Sequence, residues 1–153
     1  MNSRITLAGR VHLILIGADG EVKEDRYENN LVTTAGLGHI ADQLSSSPGE
    51  AAMGYMALGS GTGAAAAGNT ALGNEFATGG RNALTARTDA GAVVTYTCTF
   101  SAGESTGAIT EAGILNDASA GTLLARLVFS AINKAAADTL AITWTLTFSD
   151  DGV

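Results

Sequence analysis

The stretch ALGSGTGAAAAGNTAL, residues 57–72, is the part of the sequence that most resembles a nucleotide-binding loop. It contains Gly59-x-Gly61-x-x-Ala64, one form of the dinucleotide fingerprint. Such a loop holds phosphate because it joins a buried parallel strand to the N-terminus of a long helix. Here further glycines interrupt any following helix, no Gly-Lys-Ser/Thr occurs, and Asp89 lies in a turn-like RTDAG rather than at a strand end. The pattern therefore predicts a flexible connector over the domain surface, without a cofactor.

Few other residues are of types that support catalysis or metal binding. His12 and His39 have no cysteine or carboxylate at ligand spacing, so we expect them to be solvated or hydrogen-bonded. The single cysteine, Cys98, lies on the apolar side of an alternating segment, where a thiol is usually an inert hydrophobic group. The C-terminal SDDGV, residues 149–153, lacks the alternating oxygen ligands of a calcium loop. The sequence predicts no catalytic, cofactor-binding or metal-binding residues, hence no enzyme.

Two charged residues stand out because they interrupt apolar segments. Glu111 lies close to Ile109 and Ile114, and Arg126 lies between two apolar residues. Burying either charge alone costs several kcal/mol, so each requires a partner. We expect Glu111 and Arg126 to form a structural ion pair that fixes strand register. Arg81 or a neighbouring subunit is the other possible partner.

Composition limits the classes of function. The chain has 153 residues, 46% hydrophobic and 15% charged, which predicts one packed domain, residues 1–153. The formal net charge is −7 and the basic residues are scattered, so we expect no nucleic-acid partner. No basic-then-apolar leader and no apolar run of membrane-spanning length are present, so we expect neither a usual secretion signal nor a membrane partner.

The elements that position these residues are mostly strands. Residues 93–100, VVTYTCTF, and 140–148, LAITWTLTF, alternate apolar residues with threonine, which predicts half-buried antiparallel strands. Residues 121–132 are apolar on both faces and predict a central covered strand. Residues 109–115 form a shorter strand before a small-residue turn, so we expect the two segments to pair as a hairpin.

The N-terminal part predicts a second hairpin and one helix. Residues 1–28 contain an alternating apolar segment, an Ala18-Asp19-Gly20 turn and a charged returning segment typical of an exposed edge strand. In residues 34–45 the side chains of Leu37, Ile40, Ala41 and Leu44 follow helical spacing, with Thr33 or Thr34 as N-cap. Gly36 and Gly38 each weaken the helix by roughly 1 kcal/mol relative to alanine, so we expect its stability to depend on packing.

Several segments together resemble the small virion structural proteins of tailed bacteriophages, which include capsid decoration (cement) and tail-fibre-like proteins. They are, in order, NLVTTAGLGHIADQL, YMALGSGT, NTALGNEF, ITEAGILN, GTLLARLVFSAINK and DTLAITWTLTF. The resemblance runs with gaps over residues 30–148. It implies a non-enzymatic particle component with a mainly β fold, an antiparallel β-sandwich that is jelly-roll-like. Residues 1–28 resemble the family less, and we expect them to be an attachment element beside a 30–148 core.

The function expected on this basis is that of a capsid decoration protein on the outer head surface, made in the host cytoplasm. Its expected partners are the major capsid protein and copies of itself, as a homotrimer or alternatively a dimer. The alternative is a tail-fibre, collar or tail-tube subunit. A glycan-binding module is a further alternative, for which Tyr27 and Tyr55 are the accessible aromatic candidates. The sequence does not indicate which residues form the interface.

Overall fold

The computed structural model describes residues 3–150 as two five-stranded antiparallel sheets and one short helix. The elements are β1 (Ile5–Ile16), β2 (Val22–Asn29), β3 (Leu31–Val32), α1 (Thr34–Gln43), β4 (Tyr55–Gly59), β5 (Arg81–Ala83), β6 (Ala86–Ala90), β7 (Val93–Phe100), β8 (Gly107–Leu115), β9 (Leu123–Lys134) and β10 (Thr139–Asp150). Sheet 1 has the order β2-β1-β10-β7-β6, and sheet 2 has the order β3-β9-β8-β4-β5. The two sheets share one apolar core, which confirms the expected mainly β sandwich. The jelly-roll-like connectivity stays a prediction.

The two threonine-rich segments form neighbouring strands of sheet 1. β7 has the bounds predicted for it, and β10 is slightly longer than predicted. In the register Trp144 lies opposite Tyr96, and both side chains are buried. The predicted alternation is therefore confirmed, and it leaves the threonines of both strands on the outward face of sheet 1.

The N-terminal hairpin is part of this sheet. β1 pairs with β10 along its whole length, and its Val11, Leu13 and Leu15 are buried in the core shared by both sheets. Gly20 has φ +84°, which the predicted tight turn requires of a glycine. β2 carries the charged residues and forms the edge of sheet 1, as predicted. A role of residues 1–28 in attachment stays a prediction.

β8 and β9 form the predicted hairpin at the centre of sheet 2. β9 is covered on both faces, because Leu127 and Ile132 belong to the main core, whereas Leu123 belongs to a second apolar cluster on the outer face. Its other neighbour, β3, pairs with it over two residues only. β9 is therefore covered as predicted, although it lies next to a very short edge strand.

The helix forms where the sequence predicts it, with Thr33 as N-cap, but only part of the apolar stripe is used in packing, since Ile40 contacts the core. Leu37 and Leu44 are 55% and 84% exposed, and the buried helix residues are Gly36 and His39. The reason is steric: a Cβ at Gly36 would overlap the backbone carbonyl of Leu124, so the glycine side is the one that docks most closely. No helix of residues 3–150 is long and apolar enough to span a membrane.

Several short strands have no alternating apolar pattern and were not expected from the sequence. β6 contains Asp89, which the sequence placed in a turn, and every residue of β6 is exposed. β6 forms because its backbone pairs with β7 at the edge of sheet 1, which requires no apolar side chain. β5 and β3 are shorter still and close the edges of sheet 2.

Candidate functional site

The connection between β4 and β5, residues 60–80, lies over the outer face of sheet 2 and is called here the glycine-rich loop. Its Leu72 packs on Ala57, Leu115 and Leu123, which form the outer apolar cluster of that sheet. The loop is therefore the connector predicted from the sequence. Its position, however, is fixed by contacts with sheet 2 that the sequence pattern does not reveal.

The most specific of these contacts involve the carboxylate of Glu111 on β8. It accepts hydrogen bonds from three backbone N–H groups of the glycine-rich loop, those of Gly61 (2.9 Å), Gly73 (2.8 Å) and Asn74 (2.7 Å). Backbone N–H groups that converge in this way form an anion site. The loop therefore does bind an oxyanion, but that oxyanion is a side chain of the protein itself.

Arg126 on β9 completes the site. Its Nε and Nη2 donate to Oε2 of Glu111 at 2.9 and 2.7 Å. The same guanidinium donates to the loop, from Nη1 to Oδ1 of Asn69 at 2.9 Å and from Nη2 to the carbonyl of Gly63 at 3.1 Å. The structure thus brings the two sequence-predicted residues together, and the pair holds the loop through both its N–H and its C=O groups.

The alternative partner considered from the sequence, Arg81, is engaged elsewhere. Its Nε and Nη2 donate to the two carboxylate oxygens of Glu75 at 2.9 and 2.6 Å. Its Nη1 donates to the carbonyls of Asp117 and Ala120. Arg81 therefore ties the end of the glycine-rich loop to the turn between β8 and β9, as a second ion pair beside the first.

The glycines of the fingerprint are explained by this packing. A Cβ at Gly59 would lie 2.5 Å from Oε1 of Glu111, and a Cβ at Gly61 would overlap that carboxylate. A Cβ at Gly73 would lie 3.1 Å from Nη2 of Arg126. Side chains at the first two positions would push the loop off the carboxylate. The sequence shows an acid within an apolar segment and a set of spaced glycines, but not the contact between them.

The ionisation of Glu111 follows from the same contacts. Burial by itself raises the pKa of this carboxyl, but the N–H groups of Asn74 and Gly73, the guanidinium of Arg126 and the N–H of Gly61 outweigh it. The net pKa lies below the ordinary glutamate value of 4.5. Glu111 is therefore a permanently charged anchor at neutral pH, and it is fully buried, so it cannot act on a solvent-borne substrate.

The histidines and the cysteine considered from the sequence are hydrogen-bonded or buried. His12 is hydrogen-bonded to Asp25 at 2.7 Å and His39 to Glu50 at 2.9 Å. Burial raises the pKa of the Cys98 thiol to about 12, so it is not a nucleophile at neutral pH. Within residues 3–150 no three His, Cys, Asp or Glu side chains lie close enough to hold a metal ion. The SDDGV motif extends beyond the described residues.

The sequence pattern does not reveal a second group of buried charges, which lies near the β9–β10 connection. Asp138 accepts hydrogen bonds from Nζ of Lys23 at 2.7 Å and from the N–H of Ala135 at 3.0 Å. Lys134 donates to the carbonyl of Ser101 at 2.8 Å, and its burial lowers the pKa of this amine. These contacts tie the β9–β10 connection to β2 and to the segment after β7.

Of the two aromatic candidates for glycan stacking, only Tyr27 is largely exposed, at 55%. His12 stacks on its ring at 4.1 Å between centroids, and the guanidinium of Arg10 lies 4.0 Å from the same centroid. The imidazole of His12 and the guanidinium of Arg10 cannot both lie on the same side at this distance, so they cover opposite faces of the Tyr27 ring. A sugar could stack on Tyr27 only by displacing one of them, and Tyr55 is partly buried in β4.

The outward face of β10, β7 and β6 forms a surface that we call the threonine face. Its outward positions carry threonine, alanine, valine and serine and no charged side chain. Its threonines are Thr88, Thr95, Thr97, Thr99, Thr139, Thr143, Thr145 and Thr147. Since the chain carries a net charge of −7, a face without charged side chains across three strands differs from the acidic surface expected on average.

Comparisons of the chain with protein-family models, with curated proteins and with solved structures found no match. Membership of a phage family therefore stays a prediction from the sequence. The structural observations that bear on function are the glycine-rich loop held by Glu111 and Arg126, and the uncharged threonine face.

Proposed function

We propose that this protein is a non-enzymatic structural component of a tailed-phage virion, a decoration protein on the outer surface of the head. The resemblance of residues 30–148 to such proteins supports the class of function. The engagement of the buried charged groups in internal contacts supports a scaffold rather than a catalyst. The single observation that carries a binding role is the uncharged threonine face.

The threonine face suits contact with another protein. The cores of protein–protein interfaces are depleted of charge, because each unpaired charge that loses water costs several kcal/mol. β-branched threonines have few rotamers, so ordering them at an interface costs little entropy, and their hydroxyls can bond to the partner backbone. The proposed partner is the major capsid protein, bound across the junctions between its subunits, so that many copies together stabilise the head.

The ion pair of Glu111 and Arg126 supports this role indirectly. A loop of 21 residues, 60–80, without strand or helix would cost much entropy to order at the moment of binding. Because the carboxylate and the guanidinium already hold its backbone, the surface of sheet 2 is preorganised before any partner arrives. The second sheet can therefore offer a defined surface to a neighbouring protein on the head.

The test places a charge on the threonine face and measures attachment to heads. Purified Thr145→Lys is added to virions that lack the protein, with Thr106→Lys as the matched control, since Thr106 is an exposed threonine outside the face. We expect Thr145→Lys to bind at least about tenfold more weakly, since a desolvated unpaired charge costs more than about 1.4 kcal/mol. Equal binding of both variants would contradict the assignment of this face.

Copy number separates the decoration role from the alternatives. Densitometry of purified virions is expected to show copies on the order of hundreds, as many equivalent sites on a head require. A few to tens of copies would favour a tail fibre or collar, and stacked rings in micrographs would favour a tail tube. Retention on a glycan array that is lost in Tyr27→Ala would instead indicate a glycan-binding module.

A further inference from the structure

One part of a sheet edge is left open. β1 pairs with β10 from Ile5 to Ile16, but β2 pairs with β1 only from Arg10 onward. On the β2 side the segment Ile5–Ala8 therefore has no neighbouring strand within residues 3–150. The N–H of Asn30 donates to the carbonyl of Gly9, and this contact marks the end of the covered edge.

The hydrogen bond from Asn30 to Gly9 also shows which backbone groups of Ile5–Ala8 point toward the open edge. In an antiparallel strand the N–H and C=O of one residue point to the same side, and successive residues alternate. The carbonyl of Gly9 points to the β2 side, so the N–H and C=O groups of Leu7 and Ile5 point there too. Thr6 and Ala8 direct their backbone groups toward β10.

The other sheet edges are protected, whereas this one is not. β2 carries a row of charged side chains, and β6 carries Arg87 and Asp89. The edge strands of sheet 2 are two and three residues long. Charges and short strands both prevent pairing with another chain, but Ile5–Ala8 has no charged residue.

An apolar groove adjoins this open edge on the inner side of sheet 1. Ile5, Leu7, Leu37, Leu44 and Phe148 line it, and Ile5 is 78% exposed. A strand added beside Ile5–Ala8 would direct every second side chain toward the groove. The site is therefore suited to an extended segment with apolar residues at alternate positions.

We propose that the occupant is the same segment of a second copy, paired antiparallel about a two-fold axis that passes through Thr6. The segment Ile-Thr-Leu-Ala has the alternation that the groove requires, and a two-fold contact uses the same surface on both subunits. Sheet 1 thereby continues from one copy into the other. The inference concerns the purified protein and is independent of a role in a virion.

The register follows from the free backbone groups. With Thr6 opposite the second copy's Thr6, Ile5 lies opposite the second copy's Leu7. Both residues direct N–H and C=O toward each other, so each such pair exchanges two hydrogen bonds. In this register Arg4 lies opposite the second copy's Ala8, so like charges do not face each other. Centring the axis on Leu7 instead would place Ile5 opposite Gly9, whose carbonyl is already engaged by Asn30.

Disulfide trapping tests this register. The Thr6 pair is not hydrogen-bonded to itself, so its Cα atoms lie about 4.5 Å apart, within disulfide range. Thr6→Cys is therefore expected to form a covalent dimer under mild oxidation. The native cysteine, Cys98, is buried and should not form a competing disulfide. Ala8→Cys is the matched control, since two copies of Ala8 lie about four residues apart, or roughly 13 Å, in this register. Equal trapping of both variants, or none of Thr6→Cys, overturns the register.

The oligomeric state tests the surface without cysteines. By light scattering after gel filtration, we expect the wild type at twice the chain mass of 15.3 kDa and Ile5→Lys at half the wild-type mass. Val22→Lys is the matched control, because Val22 is also an exposed apolar strand residue, at 57%, and should stay dimeric. Since Ile5 lies outside the buried core cluster, Ile5→Lys should remain folded, with the same circular dichroism spectrum as Val22→Lys. A monomeric or trimeric wild type, or a dimeric Ile5→Lys, overturns the proposal.

Discussion

At the scale of single residues, Glu111 and Arg126 decide how sheet 2 is covered. Their side chains are 0% and 4% exposed, and the carboxylate is matched by three backbone donors in addition to the guanidinium. A buried ion pair is tolerable only when such additional hydrogen bonds replace the lost water. Here those bonds come from the glycine-rich loop. Burial of the Glu111 charge is therefore tolerable only while the loop stays ordered over it.

We expect Glu111→Gln to lower the free energy of unfolding by about 3–5 kcal/mol. The substitution keeps the shape of the side chain, but it leaves Arg126 buried without its counter-charge. It also replaces one acceptor oxygen with an NH2 donor, which faces N–H groups that then have no acceptor. Urea denaturation followed by tryptophan fluorescence measures this loss, since Trp144 is buried. Glu21→Gln is the control, because that carboxylate is exposed; a loss no larger than the control's would contradict the structural role.

Stability should decrease in acid, starting near pH 4.5. The pKa of Glu111 is lowered in the folded state despite burial, and hydrogen bonds lower the pKa of Asp138 (from Lys23) and of Asp42 (from the N–H of Gly49). The unfolded carboxyls therefore bind protons first, so the stabilisation is complete above the unfolded pKa and is lost as the pH falls. Urea midpoints at pH 7, 5, 4 and 3 measure the decrease, which should be shallower in Glu111→Gln. A urea midpoint independent of pH would show that protonation of these carboxylates is not linked to unfolding.

At the scale of elements, helix α1 shows that close backbone packing can decide which part of an apolar stripe is buried, here Ile40. Its Leu37 and Leu44 are exposed, while Gly36 touches the backbone of β9 and the Thr33 hydroxyl accepts the Gly36 N–H at 2.9 Å. The helix docks through Gly36 because a glycine lets the backbones of α1 and β9 approach more closely than any side chain would permit. The exposed leucines then line the groove beside β1.

Two glycines of the helix provide a matched pair of substitutions. Gly38→Ala should raise the free energy of unfolding by about 0.5–1 kcal/mol, since a Cβ there meets no atom and alanine favours helix. Gly36→Ala should lower it by about 1–3 kcal/mol, because the methyl group would overlap the Leu124 carbonyl and displace the helix. Thermal and urea unfolding measure both. If both substitutions stabilise, the helix does not dock through Gly36.

At the scale of the whole molecule, both sheets contribute to one core, so local strand stability depends on the complete sandwich. Val11 of β1, Trp144 of β10 and Ile114 of β8 belong to the same buried cluster. The N-terminal hairpin is joined to this core through β10, not appended to it. Exposure of a central side chain should therefore require opening of the whole fold.

Cys98 is a probe of that opening. Its thiol is 1% exposed and its pKa is raised to about 12, first by burial and then by Glu104. We expect a thiol reagent at pH 8 to react with native protein far more slowly than with protein unfolded in urea. A loss of about 3 kcal/mol in Glu111→Gln should accelerate labelling by roughly a hundredfold when opening is fast relative to reaction. Rapid labelling of the native wild type would contradict a single cooperative core.

The sequence by itself determined the strands that alternate threonine with apolar residues, because the side-chain period of two fixes which face is buried. It also indicated that Glu111 and Arg126 need partners, since an isolated buried charge is costly wherever the chain places it. The short strands β3, β5 and β6 carry no such period, so their pairing could not be derived from their own residues.

Only the tertiary structure decided what the glycines do. Gly59 and Gly61 lie about 50 residues from Glu111 in sequence, and a local pattern contains no information about a contact over that separation. The same holds for Gly36 against Leu124, which places Gly36 and His39 beside Ile40 on the docked side of the helix and leaves Leu37 and Leu44 exposed. The open edge of β1 likewise follows from where β2 ends against it, which is a property of register between strands. Such contacts depend on how distant segments pack together, and a one-dimensional pattern does not specify that packing.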